Sequence, residues 1–349
     1  MSGAITILFV NESPLSFRVV APPQVDIPEF RGTVWRPARR GDVDGITEMM
    51  QAADRVDHPR YLTTRDDVLD SIDTSYIDAS RDTLLGIDLT NSIVAFGSVA
   101  LLPGQETLVR SVLFGAVHPE WRGRGIGRQL LRWQEQRALQ QLAHSDKTLP
   151  GWILGFIDDG AIQTNHLFTR AGFRTARYYF ELQRRFDEPV PDVPLPDGFS
   201  IANPNPSRHE ELRLARNDAF RDHWGSQSTT EEQWERFARR SVSRPDLSFV
   251  VTAPTGEVAG FVLTEVNQDD WPGQGFSSAY IDLVGVTRAW RHRGIGPAML
   301  VEALRAIKAA GLDCAVLDVD SDSLTGALTL YEGVGFRQSG RSRSVHKVY

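Results

Sequence analysis

From residue 33 the chain passes from a short extended run, TVWRP, into apolar positions at Val43, Ile46, Met49 and Met50. Their three- and four-residue spacing predicts a helix. The same succession returns after residue 200, where SIAN reads as a strand and Leu212, Leu214, Ala215 and Ala219 predict another helix. Two longer helices follow from Ile126, Leu130, Leu131, Ala138 and Leu142, and from Ile295, Met299, Leu300, Ala303 and Ile307. Each is preceded by a short apolar strand. ITILFV, near the start, reads as a further strand, and the PLSFRVVAPPQVDIP that follows it is too rich in proline to be helical.

The pattern therefore runs twice. Val117 matches Val286 and Gly125 matches Gly294, both 169 positions apart, and LFTRAGFR matches LYEGVGFR 163 apart. The six-residue difference falls near HSDKTLPG in the first copy. Two homologous halves follow: an extension over 1–32, a first half over 33–186, a linker over 187–199 with four prolines in eight residues, and a second half over 200–349. Each reads strand–helix–strands–helix–strand–helix–strand, an α/β (α+β mixed-sheet) layout. Units this long are domains, not stacking repeats.

A length of 349 residues suits two cores, and 41% hydrophobic with 24% charged residues describes a soluble globular chain. The net charge of -7 argues against a nucleic-acid partner and favours a cationic or small neutral one. The single cysteine, Cys314, allows no intrachain disulfide and no cysteine-built metal cluster, so no metal is expected. LDCAVLDV reads as a buried strand, which makes Cys314 an inert core thiol. No basic leader and no run near ~20 apolar residues is present, so a cytoplasmic protein without a membrane partner is expected.

Candidate chemistry starts at the two glycine loops, HPEWRGRGIG and TRAWRHRGIG. Each lies between a strand and the first turn of a helix, where glycine permits a tight turn and free N–H groups suit a phosphate. A plain strand-to-helix connection explains one such loop; two at matching positions favour a ligand. The Gly-Lys-Ser/Thr of a nucleotide loop is absent, and Arg128 stands where a dinucleotide fingerprint needs its third glycine. What fits is R-x-x-G-x-G, as Arg122–Gly123–Arg124–Gly125–Ile126–Gly127 and Arg291–His292–Arg293–Gly294–Ile295–Gly296. With the LYEGVGF of the last helix, this resembles the GNAT superfamily of acetyl-CoA-dependent N-acyltransferases, in both halves. The tandem arrangement looks most like the actinobacterial acetyltransferases related to mycothiol synthase.

The resemblance implies two tandem GNAT folds, acetyl-CoA as cofactor and a small-molecule amine acceptor. It implies cofactor contacts from the strand ends, Val117 in the first half and Val284 and Val286 in the second, and from both loops. It also makes Tyr331 the acid for the departing thiolate, and places His223 and Trp224 in the loop that shapes the acceptor site. Amide formation needs a neutral amine, and an alkylamine of pKa ~10.4 is rarely neutral at pH 7. A base is therefore expected. In AYIDLVGV, alternation sets Tyr280, Asp282 and Val284 on one face and Ile281 and Leu283 on the other. A carboxylate in so apolar a strand is costly without a partner. Asp282 is thus the first candidate, as base, ammonium anchor or structural ion pair, with Glu265 the competitor. In the first half Asp282 becomes Leu113 and Tyr331 becomes Phe168, so chemistry is expected in the second half alone. The asparagine usual in the last helix is replaced by Ala161 and Leu324, the latter flanked by Ser323 and Thr325. Longer acyl groups, peptide or protein amines, and a non-catalytic acetyl-CoA sensor remain alternatives. The chain is expected to be a monomer or homodimer.

Overall fold

A computed structural model describes residues 13–323 and 326–349. The ITILFV strand and the positions Leu324 and Thr325 lie outside these residues. The first half of the chain forms strands β1 (Thr33–Arg36), β2 (Thr83–Asp88), β3 (Ile93–Leu101), β4 (Val109–Val117), β5 (Gly151–Asp158) and β6 (Arg174–Arg185). Its helices are α1 (Leu15–Arg18), α2 (Val43–Asp57), α3 (Arg65–Asp70), α4 (Ala79–Asp82), α5 (Ile126–Ala143) and α6 (Ile162–Arg170). The second half repeats the scheme with β7 (Ser200–Ala202), β8 (Phe249–Thr252), β9 (Val258–Glu265), β10 (Ser278–Val286), β11 (Cys314–Asp320) and β12 (Arg337–Val348). Its helices are α7 (His209–Phe220), α8 (Glu231–Ala238), α9 (Trp271–Gln274), α10 (Ile295–Ala309) and α11 (Ala327–Gly333).

The described strands make one sheet, ordered β1-β2-β3-β4-β5-β12-β6-β11-β10-β9-β8-β7. The pairs β4–β5 and β10–β11 are parallel, and the other neighbours are antiparallel. The centre of this order is an exchange: β6 lies beside β11 of the second half, and β12 beside β5 of the first. Side chains follow the strands. Leu182 of β6 is buried among Ile281, Leu304 and Leu317, while Val345 of β12 joins Leu113, Ile153 and Phe173. Each half therefore completes the other's core, which the repeat pattern did not announce.

The amphipathic helices bury the faces their spacing predicts. Ile126, Leu130, Leu131, Ala138 and Leu142 of α5 are buried, as are Ile295, Met299, Leu300, Ala303 and Ile307 of α10. Adjacent residues of β3 separate the two layers: Ala95 belongs to the α5 core and Phe96 to the α2 core. On β9, Val262 packs under α10 and Phe261 under α7. Two expectations change. Leu214 of α7 is exposed, because the apolar stripe runs through Leu212, Ala215 and Ala219. Leu15–Arg18 forms a helical turn, because the four residues after Pro14 contain no proline and Leu15 anchors them in the first core. Cys314 is buried, and burial pushes its thiol up to about 11. No described helix is long and apolar enough to cross a membrane.

Candidate active site

The two glycine loops have nearly superimposable logic. Gly125 and Gly294 sit at the N-caps of α5 and α10 with φ of +91° and +80°. His292 takes the left-handed conformation, φ +61°, that Gly123 takes at +75° in the first loop. A Cβ at Gly123 would meet nothing within 4 Å, and one at Gly294 nothing nearer than Pro196 at 4.0 Å. The space beside Gly123 and Gly294 is thus open, and each loop ends at a helix N-terminus whose free N–H groups suit a phosphate. The arginines divide their roles. Arg122 makes a two-pronged ion pair with Asp57 (2.7 and 2.8 Å) and donates from Nε to the Val117 carbonyl at 3.0 Å. Arg291 bonds Asp222 at 3.1 Å and the carbonyls of Ala219 and Val286 at 2.8 and 3.3 Å. Both fasten the loop to the preceding helix layer and strand end. Arg124 and Arg293 lie over Trp121 and Trp290, at 4.9 and 4.8 Å, with no carboxylate partner among the described residues.

Beside each loop the sheet opens. β10 pairs with β11 only from Ser278 to Tyr280, and β4 with β5 only from Val109 to Val112. Past those points the parallel strands splay, and Val284 and Val286 line the β10 side of the second gap. The two gaps differ in one respect. The register of β10 against β9 slips between Ile281 and Leu283, leaving Asp282 as the bulged residue, whereas β3 and β4 pair without a break. The bulge overturns the expected alternation. Ile281 and Val284 contact the α10 core, while Leu283 joins Leu263 and Phe261 under α7. Asp282 lies on the α7 side as well, within the fields of Arg216 and Arg240.

There the carboxylates gather. Glu265 ends β9 opposite Tyr280, with Oε1 3.6 Å from Nη1 of Arg240. Burial and the charge of Asp282 push it up to about 7 against the pull of Arg240. Burial raises Asp282 too. Arg240 reaches across to the first half, 3.3 Å from Asp67 of α3. Further along the floor Tyr280 donates to Asp318 at 3.0 Å, and Tyr61 of the first half meets Tyr280 edge-on at 5.6 Å. Asp318 is open to the cleft but hemmed in, and burial with the charges of Glu181 and Asp282 pushes it up to about 7. Such a cluster attracts a cation and holds a carboxyl that exchanges protons near neutrality.

Tyr331 approaches from the α10 side. It is 8% exposed, packs edge-on against Phe336 at 5.9 Å, and burial raises its phenol above the usual range. Among the described residues no hydrogen bond joins it to Asp282 or Glu265; the tyrosine and the carboxylates come to the gap from opposite layers. His223 sits beside Phe220 at 4.6 Å, its pKa lowered by burial and by Arg291. Trp224 stacks on Trp152 of the first half at 4.7 Å, at the seam between halves. In the first half Leu113 is buried, and Phe168 fills the space over Gly155, where a Cβ would lie 2.8 Å from its ring. Sequence reasoning missed Asp318, Arg240, Asp67 and Tyr61. Only Asp318 left a trace, in the alternation of LDVD; the others come from loops and helices that chain pattern does not bring together.

Known proteins share this architecture. Residues 210–336 match the acetyltransferase (GNAT) family, and residues 80–175 an acetyltransferase (GNAT) domain. A mycothiol acetyltransferase of Salinispora arenicola is 30% identical over 331 residues, covering 93% of this chain and 95% of that protein. Another from Thermobispora bispora is 32% identical over 222 residues, 63% of this chain and 70% of that one. Among solved structures, a GCN5-related N-acetyltransferase from Sphaerobacter thermophilus superposes with a TM-score of 0.65 at 22% identity, covering 93% and 97% of the two chains. A tandem GNAT protein from the clavulanic acid biosynthesis pathway superposes at 0.63 with 14% identity, covering 90% and 98%.

Proposed function

The chain belongs to the GNAT family of acetyltransferases and uses acetyl-CoA, and from that premise we propose that it acetylates a primary amine of a small molecule, with the chemistry in its second half. The observation that carries this is the bulge at Asp282 beside Glu265, which the first half lacks. The N-terminus of α10 and Arg293 fit the cofactor's phosphates, and acetyl-CoA supplies the thioester when bound. Glu265 and Asp282 anchor the incoming ammonium, and the carboxyl poised near neutrality accepts its proton. Tyr331 stays protonated and donates to the departing thiolate. The first loop keeps the same open geometry beside Leu113 and Phe168, neither ionisable, so we read it as a holding site for CoA phosphates without turnover. The relatives' name makes a mycothiol precursor the first acceptor to try.

The test is thiol release from acetyl-CoA against a panel of amines, with the product identified by mass spectrometry. Tyr331→Phe should keep acetyl-CoA affinity and lose roughly 10²-fold in kcat. Turnover within threefold of wild type would make Tyr331 a packing residue. No thiol release with any amine would favour a non-catalytic acetyl-CoA sensor.

A further inference from the structure

The cleft does not end at its carboxylates. Arg216 of α7 and Arg110 of β4, one guanidinium from each half, both reach the loop after α7. Each spends Nη1 there: Arg110 donates to the Gly225 carbonyl at 2.8 Å, and Arg216 to the Gln227 carbonyl at 3.0 Å, with a further bond to Asn217 Oδ1 of α7 at 3.3 Å. Nε of Arg110 is buried without a partner, and among the described residues neither side chain has a carboxylate within 4.0 Å.

That is unusual in this molecule. Arg122, Arg137, Arg236, Arg240, Arg291 and Arg343 are all shielded, and all have carboxylate partners. Arg18 and Arg184 lack one, but main-chain carbonyls occupy Nε, Nη1 and Nη2 of each. Arg216 instead faces the charge of Arg110. Burial lowers both, Arg216 to about 10, and Arg110 depresses Arg216 further. Asp282 draws on Arg216 from beyond contact distance, which ties this pair to the carboxylate end. The stacked rings of Trp152 and Trp224, with His346 5.3 Å from Trp152, border the place.

Two desolvated guanidinium forks without a counter-ion are incomplete as a structural device, because the desolvation and mutual repulsion go uncompensated. An anion bound between them restores the balance through charge-assisted hydrogen bonds. We propose that Arg110 and Arg216 bind an anionic oxygen group, carboxylate or phosphate, on the same acceptor whose amine lies at Glu265 and Asp282. The acceptor is then bipolar and spans both halves. This rests on the acetyltransferase reading above.

The test compares kcat/KM on the full chain for ω-amino acids of increasing length, ω-aminoalkyl phosphates, and the same alkylamines lacking the anion. At one length the anionic member should be preferred at least tenfold, and the preferred series identifies the anion. Arg110→Gln and Arg216→Gln should each lower that preference at least tenfold, chiefly through KM, and Arg216→Lys should restore part of it. Equal use of matched pairs, or a preference surviving both variants, overturns the proposal while leaving acetyl transfer intact. If no amine reacts, the acetyl-transfer reading fails, and calorimetry decides the subsite. An ω-hydroxy acid or hydroxyalkyl phosphate should bind wild type and not the Arg110→Gln/Arg216→Gln variant; no difference between them overturns it.

Discussion

Replacing Glu265 by glutamine should make the protein less active and, above neutrality, more stable. The carboxyl is raised from 4.5 to about 7, first by burial and then by Asp282. At ~1.36 kcal/mol per pH unit, its ionised form in the folded protein costs about 3 kcal/mol relative to the unfolded chain. The folded value lies above the unfolded one, so the stability contributed by the protonated group is complete below pH about 4.5 and lost as pH climbs to about 7. Glutamine keeps the shape and carries no charge at any pH. The variant should thus match wild type near pH 4.5 and exceed it by pH 8. Part of the gain is cancelled because Arg240, 3.6 Å away, loses one counter-charge, although Asp67 at 3.3 Å remains. A net gain of about 1–2 kcal/mol at pH 8 remains, while kcat/KM falls by roughly 10²-fold or more with the base gone. Urea unfolding of both proteins at pH 5 and pH 8, beside kcat/KM on one amine, measures both effects. A stability difference that does not grow with pH would refute the burial argument. Unaltered kcat/KM would remove Glu265 from proton handling.

Gly294→Ala forces a side chain into φ +80° at the α10 N-cap and should weaken acetyl-CoA binding more than tenfold, about 1.4 kcal/mol, by calorimetry on the full chain. The first loop can hold CoA as well, so the titration is read site by site, and one in which no acetyl-CoA site weakens removes the second loop as cofactor site. Leu182→Ala, at a 1% exposed position supplied by the first half to the second half's core, should cost about 2–5 kcal/mol. It should accelerate hydrogen exchange least in β1 and most in β11; protection of β11 equal to wild type would contradict the exchange of strands.

The apolar stripes of α5 and α10 and the paired glycine loops were legible because each is local: helix spacing and turn geometry show within twenty residues of chain. The exchange of β6 and β12 was not. Both strands would show the same mixed pattern in either half, and nothing in RTARYYFELQRR distinguishes β11 from β5 as its partner. Asp282 was visible as a carboxylate in an apolar strand, but alternation assigned Leu283 to the wrong layer because period two cannot register an inserted residue. The two motif arginines looked like phosphate ligands because sequence records their charge and not Asp57 and Asp222, which claim it.

The exchange also bears on what the first half does in the molecule. Removing residues 33–186 would take β6 from between β11 and β12 and expose Leu317 and Val319, so the second half cannot be judged as an isolated piece. The first half further supplies Asp67 to Arg240 and Tyr61 to the ring of Tyr280. Arg110 and Trp152 come from it too, so the proposed acceptor site draws on both halves. With Leu113 in an unbulged strand and Phe168 in place of a phenol, that half offers no ionisable group at the positions matching Asp282 and Tyr331. Under the function proposed above, duplication has separated recognition from chemistry: the second copy bends β10 at Asp282, whereas β4 of the first pairs with β3 without a break.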